Sequence, residues 1–86
     1  MYKVLIVDDE IMIRRGLSKI IHWEEIGFEM AGAVGNAMEA LELIKKTPVD
    51  VLLTDISMPE MTGLELIHQA RKILPGLKTV VISGYS

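Results

Sequence analysis

The sequence predicts an α/β fold in which a doubly wound parallel sheet carries helices on both faces. Two observations predict it. Short, β-branched-rich apolar runs alternate with stretches of helical spacing in the order β-α-β-α-β-α-β. Glycine and proline mark the changes of period, and no segment repeats or is of low complexity. Strands that alternate with helices pair in parallel through right-handed crossovers.

Val4-Leu5-Ile6-Val7 is a continuous apolar run that stops at Asp8-Asp9-Glu10, as a strand buried on both faces does. Ile13, Leu17, Ile20 and Ile21 then recur at i, i+4, i+7 and i+8, which predicts a helix ended by Gly27. Phe28 to Val34 reads as a weaker second strand. Asn36 with Glu39 three residues on opens a second helix with Ala37, Leu41 and Ile44 as its apolar stripe, and Pro48 ends it. Val49 to Leu53 is the third strand, closing at Thr54-Asp55. Ile56 to Gly63 is a loop. Thr62 and Glu65 form a capping box for a third helix with Leu66, Ala70 and Ile73, ended by Pro75-Gly76. Lys78 to Ile82 is the fourth strand.

Eighty-six residues, half of them hydrophobic and 24% charged, make one globular domain, residues 1–86. With no cysteine there is no disulfide, thiolate metal site or cysteine nucleophile. A net charge of −3 argues against nucleic-acid binding by charge alone. Apolar stretches of only a few residues give no transmembrane helix or signal-peptide core, so a cytoplasmic location is expected.

In open parallel sheets, ligands bind outside the carboxyl ends of the strands, where strand order reverses. Those ends carry Asp8 and Asp9 after strand one, Asp55 after strand three and Ser83 after strand four. Taken singly, Asp8 or Asp9 could cap the first helix and Asp55 could be a turn residue. Together, from two strands with a hydroxyl on a third, they point to a ligand site. Carboxylates that close repel unless a cation sits among them, and hard oxygen donors with room for water suit Mg²⁺. A carboxylate beside Mg²⁺ can act as a nucleophile and form an aspartyl-phosphate, with Ser83 placed to hydrogen-bond a phosphoryl oxygen. A glycine-rich phosphate loop and a Ser-His-Asp arrangement are both missing, so nucleotide hydrolysis and acyl transfer lack their parts.

These residues resemble the receiver domain of two-component response regulators. The resemblance runs from Tyr2 to Ser86 and rests on Val-Asp-Asp at 7–9, Thr-Asp-Ile-Ser-Met-Pro at 54–59, Thr-Gly at 62–63 and Val-Ile-Ser-Gly at 81–84. It implies a flavodoxin-like (CheY-like) fold with strand order 2-1-3-4-5. It further implies that Asp55 is the phosphoacceptor and that Asp9 ligates Mg²⁺ with Asp55 and the backbone carbonyl of Ser57. Asp8 would act mainly through metal-bound water, and Ser83 would be the switch hydroxyl. The implied partner is a sensor histidine kinase, and DNA would be reached only through an output domain beyond these residues. The chain is then a phosphoacceptor, not a turnover enzyme.

A finer likeness lies in residues 22–28, His-Trp-Glu-Glu-Ile-Gly-Phe, and 82–86, Ile-Ser-Gly-Tyr-Ser. Both are similar to receivers that precede AraC-type helix-turn-helix domains. Trp23 and Phe28 read as packing residues at a helix–strand junction, His22 and His68 as solvated helix residues, and Met58 as a residue shaping the loop beside Asp55.

Members of the family continue through a further helix, a fifth strand with a lysine at its end, and a fifth helix. The chain is therefore expected to be a receiver truncated after the fourth strand. Strand four then forms a sheet edge, one face lacks a helix, and self-association through that edge or face is expected. The alternative to a phosphoacceptor is a self-associating interaction module without phosphorelay. An aspartate-nucleophile phosphatase is disfavoured, because Ser57 stands where its second acidic residue would be.

Overall fold

The elements run β1 (Tyr2–Val7), α1 (Ile11–Ile20), β2 (Phe28–Val34), α2 (Ala37–Lys46), β3 (Val51–Asp55), α3 (Gly63–Ile73) and β4 (Lys78–Ile82). The computed structural model describes residues 1–82, so Ser83 lies outside the described residues. The four strands form one parallel sheet in the order β2-β1-β3-β4. This matches the doubly wound, CheY-like expectation and makes β1 and β3 neighbours.

The pleat of β1 and β3 divides the core between two faces. Leu5, Val7 and Leu52 meet Ala40 and Ile44 of α2 and Leu66 and Ala70 of α3. Val4, Ile6 and Leu53 face the opposite side, where Leu17 of α1, Trp23 and Phe28 pack on them. Leu5, Ile6, Leu52 and Leu66 have no exposed surface. Each such burial is worth roughly 1.5–3 kcal/mol relative to an exposed side chain. Continuous apolar runs were legible as strands because both faces of β1 and β3 are covered.

The helix starts follow local chemistry. The Asn36 side chain accepts a hydrogen bond from the Glu39 N–H at 2.9 Å. At Thr62 the capping box is complete in both directions, with Glu65 N–H to Thr62 Oγ1 at 3.2 Å and Thr62 N–H to Glu65 Oε1 at 3.1 Å. The Thr62 N–H first, and the Thr62 hydroxyl beside it, hold the Glu65 carboxyl below its ordinary value.

Several expectations need correction. α1 ends at Ile20, well before Gly27; a separate 3₁₀ turn, Trp23–Ile26, follows it and closes on Gly27 at φ +87°. The Trp23 indole N–H donates to the Leu17 carbonyl at 3.1 Å and turns the chain back onto the sheet. Trp23 and Phe28 pack edge to face, ring centroids 6.0 Å apart, in the junction role expected of them. The α1 stripe is not buried as a stripe: Leu17 reaches the sheet, whereas Ile13 is 42% and Ile20 77% exposed. In α2, Ala40 joins Ala37 and Ile44 in the fully buried core, and Leu41 packs partly buried against it. β3 begins at Val51; just before it, Asp50 is tied to Lys3 of β1 twice, its N–H donating to the Lys3 carbonyl at 2.8 Å and its Oδ2 accepting from the Lys3 N–H at 2.7 Å.

Candidate functional site

The carboxyl ends of β1 and β3 lie side by side, with Val7 in register with Thr54. The residues that follow are therefore brought to one edge of the sheet. Carboxylate oxygens of Asp8, Asp9 and Asp55 all fall within 4.8 Å of one another. Asp8 and Asp55 are buried and Asp9 is exposed, so the cluster opens to solvent on one side.

Asp8 is held at several points. Its N–H donates to the Val34 carbonyl at 3.1 Å, tying it to the end of β2. Its carbonyl accepts from Arg14 Nη1 at 2.8 Å. One carboxylate oxygen, Oδ1, accepts from the Glu10 N–H at 2.9 Å. This is a local turn bond before the helix and not the cap considered for this aspartate: the N-cap of α1 is Glu10, and no side chain caps it. The Asp8 carboxyl titrates above the ordinary carboxylate range, chiefly because burial strips it of water. The charges of Asp55, Asp9 and Glu10 add to the rise, and the Glu10 N–H bond opposes it.

Asp55 ends β3. The buried Thr54 hydroxyl donates to its carbonyl at 2.9 Å. Gly63, the first residue of α3, packs its backbone directly on that carbonyl, leaving no space for a β-carbon, and its N–H donates to the Ile56 carbonyl at 2.9 Å. The loop between β3 and α3 is thereby folded back against the end of the strand. Ser57 lies in that loop and is exposed. Ile82, the last described residue of β4, is in register with Asp55, and its carbonyl accepts from the Ile56 N–H at 3.3 Å.

Asp8, Asp9 and Asp55 are therefore brought together as expected. Two contacts escaped the sequence reading. One is the close approach of Gly63 to Asp55, although Thr62-Gly63 was recognised as a motif. The other is Arg14, whose bond to Asp8 has no periodicity or spacing signal. His22 stands 3.7 Å from Glu25 Oε1 and takes no part in the cluster. Among the described residues, no helix is long and apolar enough to cross a membrane.

A cluster of this kind can hold a divalent cation and present a carboxylate for phosphoryl transfer, and the comparisons with known proteins agree in family. The chain matches the response regulator receiver domain family over residues 4–86. The transcriptional regulatory protein YesN of Bacillus subtilis is 40% identical over 85 residues, which are 99% of this chain and 23% of that protein. A solved two-component transcriptional regulator AraC from Clostridium phytofermentans superposes with a TM-score of 0.88 at 38% identity, covering 100% of this chain and 69% of that one. The response regulator protein TrrA of Thermotoga maritima, solved with Mg²⁺ and BeF, gives a TM-score of 0.84 at 35% identity over 100% of this chain and 72% of that one. TrrA has also been solved with the histidine kinase ThkA. The chain thus spans under a quarter of YesN and about seven-tenths of the two solved chains. Strand order, the acidic cluster at the carboxyl ends of β1 and β3, and these likenesses converge: the chain belongs to the response regulator receiver domain family.

Proposed function

We propose that residues 1–86 act as the phosphoacceptor unit of a two-component response regulator in the cytoplasm, taking a phosphoryl group from a sensor histidine kinase onto Asp55. The observation that carries this reading is the convergence of the Asp8, Asp9 and Asp55 carboxylates within 4.8 Å. The partner is inferred from TrrA, which is similar to this chain and has been solved with a histidine kinase.

The donor set fits Mg²⁺: its oxygens are hard, its open side leaves room for water, and its like charges call for a cation. Asp9, Asp55 and the Ser57 carbonyl would hold the ion, with Asp8 acting mainly through water. Bound there, Mg²⁺ would neutralise charge on the phosphoryl oxygens. A carboxylate oxygen of Asp55 attacks the phosphorus of the kinase phosphohistidine; the new P–O bond forms as the P–N bond breaks, and the departing imidazole takes a proton from solvent. Burial of Asp55 limits the water that could compete with it. Ser83 is assigned the switch hydroxyl, since it follows Ile82, the residue in register with Asp55. The unit is a substrate with its own chemistry rather than a turnover enzyme. Any contact with DNA would belong to a separate output domain.

Incubation with Mg²⁺ and acetyl phosphate, followed by intact-mass measurement, tests this. One added phosphoryl group is expected on the parent chain and none on Asp55→Asn. An Asp55→Asn chain that still gains the group would overturn the assignment.

A second reading rests on β4. Among the described residues this strand pairs only with β3, and Val80 is 48% and Val81 39% exposed. In that reading the chain is an interaction module that associates with a second copy through the β4 edge, with no phosphorelay. Beryllofluoride and Mg²⁺ titration separates the two: binding that requires Asp55 supports the phosphoacceptor, and its absence supports the module.

A further inference from the structure

Arg14 stands in the first turn of α1, facing the end of β1 and β2 rather than a carboxylate. Its Nη1 donates to the main-chain carbonyl of Asp8 at 2.8 Å. Among the described residues the ion pairs join Lys3 to Glu29, His22 to Glu25 and Lys45 to Glu42, and none includes Arg14. The guanidinium is half-buried and its place is shaped by a second residue. A β-carbon on Gly35 would lie 2.9 Å from Nη1, 3.6 Å from Cζ and 3.9 Å from Nη2, so its three nearest neighbours would all be guanidinium atoms. Gly35 has no positive φ, so its missing side chain serves space and not backbone conformation. On the helix side, the Ser18 hydroxyl donates to the Arg14 carbonyl at 2.8 Å.

We propose that Arg14 is a positioning residue of the acidic cluster: lodged against the bare Cα of Gly35 and bonded to the Asp8 carbonyl, it sets the rotation of the turn that presents Asp8 and Asp9. With the Asp8 N–H already fixed on Val34, the arginine bond holds the next peptide, so the groups on both sides of the Asp8 Cα are tied down. A turn held on both sides has little freedom to swing its carboxylates away from Asp55. Outer contacts that orient ligands commonly cost a metal site a factor of 10 to 100 when removed. This inference rests on the Mg²⁺ reading above.

The test is a double-mutant cycle on Arg14 and Gly35. Because the guanidinium ends a flexible side chain, Gly35→Ala displaces it without disturbing the backbone, and the thermal midpoint should barely move. Arg14→Ala and Gly35→Ala should each weaken Mg²⁺ binding by about tenfold, read by calorimetric titration. The double variant should bind within about twofold of Arg14→Ala, because the added methyl then has no guanidinium to displace. Arg14→Lys, which keeps one donor and the charge, should recover part of the affinity. In the metal-free chain, the carbonyl ¹³C resonance of Asp8 should move in both single variants and no further in the double.

Parent-like Mg²⁺ affinity in either single variant overturns the proposal, as does a double variant that loses the product of the two effects. A parent chain that binds no Mg²⁺ overturns the metal reading instead. In that case the Asp8 carbonyl resonance decides the positioning role: a shared, non-additive shift upholds it, and an unmoved resonance overturns it.

Discussion

The backbone of Gly63 lies directly on the main-chain carbonyl of Asp55, with no room for a β-carbon between them. The Gly63 N–H bond to Ile56 fixes that approach, so the start of α3 and the end of β3 share one packing unit. Two effects compete in Gly63→Ala. Alanine raises helix propensity by up to about 1 kcal/mol over glycine. The methyl meets backbone atoms that cannot step aside, and overpacking of this kind costs about 1–3 kcal/mol. The clash wins, so urea unfolding should show a net loss of about 1–2 kcal/mol. Mg²⁺ affinity should fall with it, because the displaced atoms belong to Asp55. A variant as stable as the parent, with unchanged Mg²⁺ affinity, would contradict this.

Asp8 is only 4% exposed, and burial is the leading cause of its raised pKa. A carboxyl with a higher pKa folded than unfolded binds more protons in the native state. Stability therefore falls as pH rises from the ordinary value of 3.8 through the folded pKa, and stays lowered above it. Asp8→Asn removes that penalty and keeps an acceptor for the Glu10 N–H. The metal-free variant should be more stable than the parent at neutral pH, with the advantage fading as pH falls through the same window. Added Mg²⁺ should reverse the ranking: at 100 times its Kd it stabilises the parent by about 2.7 kcal/mol, and the variant by much less. Unfolding curves from acid to neutral pH, with and without Mg²⁺, check both signs.

The same physics explains what could be read from the sequence. Val4 to Val7 and Val51 to Leu53 announce strands because sheet faces covered by helices demand unbroken apolar runs. Asp8, Asp9 and Asp55 were legible as a site because parallel topology delivers strand ends to one edge. The exposure of Ile13 and Ile20 was not legible: a helix shows its apolar stripe in its spacing, but not how much of that stripe a neighbour covers. Nor were the Arg14–Asp8 bond and the Gly63–Asp55 approach. Both join main-chain carbonyls to other segments, and main-chain groups leave no mark on residue type. Gly63 and Gly35 signal such contacts only as missing side chains, which the sequence does not distinguish from an ordinary turn.

Glu60 adopts φ +71°, the only non-glycine residue with positive φ among the described residues. It sits at the centre of a tight turn in which the Met61 N–H donates to the Pro59 carbonyl at 2.7 Å. A side chain in that region costs about 1–2 kcal/mol, whereas glycine costs about 0.5–1 kcal/mol in chain entropy. Glu60→Gly should therefore raise stability by about 0.5–1 kcal/mol, measured by urea unfolding. Glu60→Val should lower it, since β-branched residues tolerate positive φ least. The phosphorylation proposed for Asp55 should be unaffected in both, as Glu60 is exposed and lies outside the acidic cluster. A destabilised glycine variant would show that the Glu60 side chain makes up for its own strain.

Val80 pairs with Leu53 at the centre of β4 and is 48% exposed. Its far side is the outer edge of the sheet among the described residues, and Val81 adds a second exposed valine. A flat, apolar edge strand is a template for pairing with another chain, and an edge lysine blocks such pairing by placing a charge where the second strand would lie. The 86-residue chain should therefore give a light-scattering mass above one chain that rises with concentration. Val80→Lys should lower that mass toward the monomer. Because the side chain is half exposed, the substitution should cost under about 1 kcal/mol of stability, so loss of association would not be loss of fold. Lys3→Ala, on the exposed pair with Glu29 at the opposite side of the sheet, serves as the control and should leave the mass unchanged. A parent mass equal to one chain at every concentration removes the second reading of function and leaves the phosphoacceptor alone.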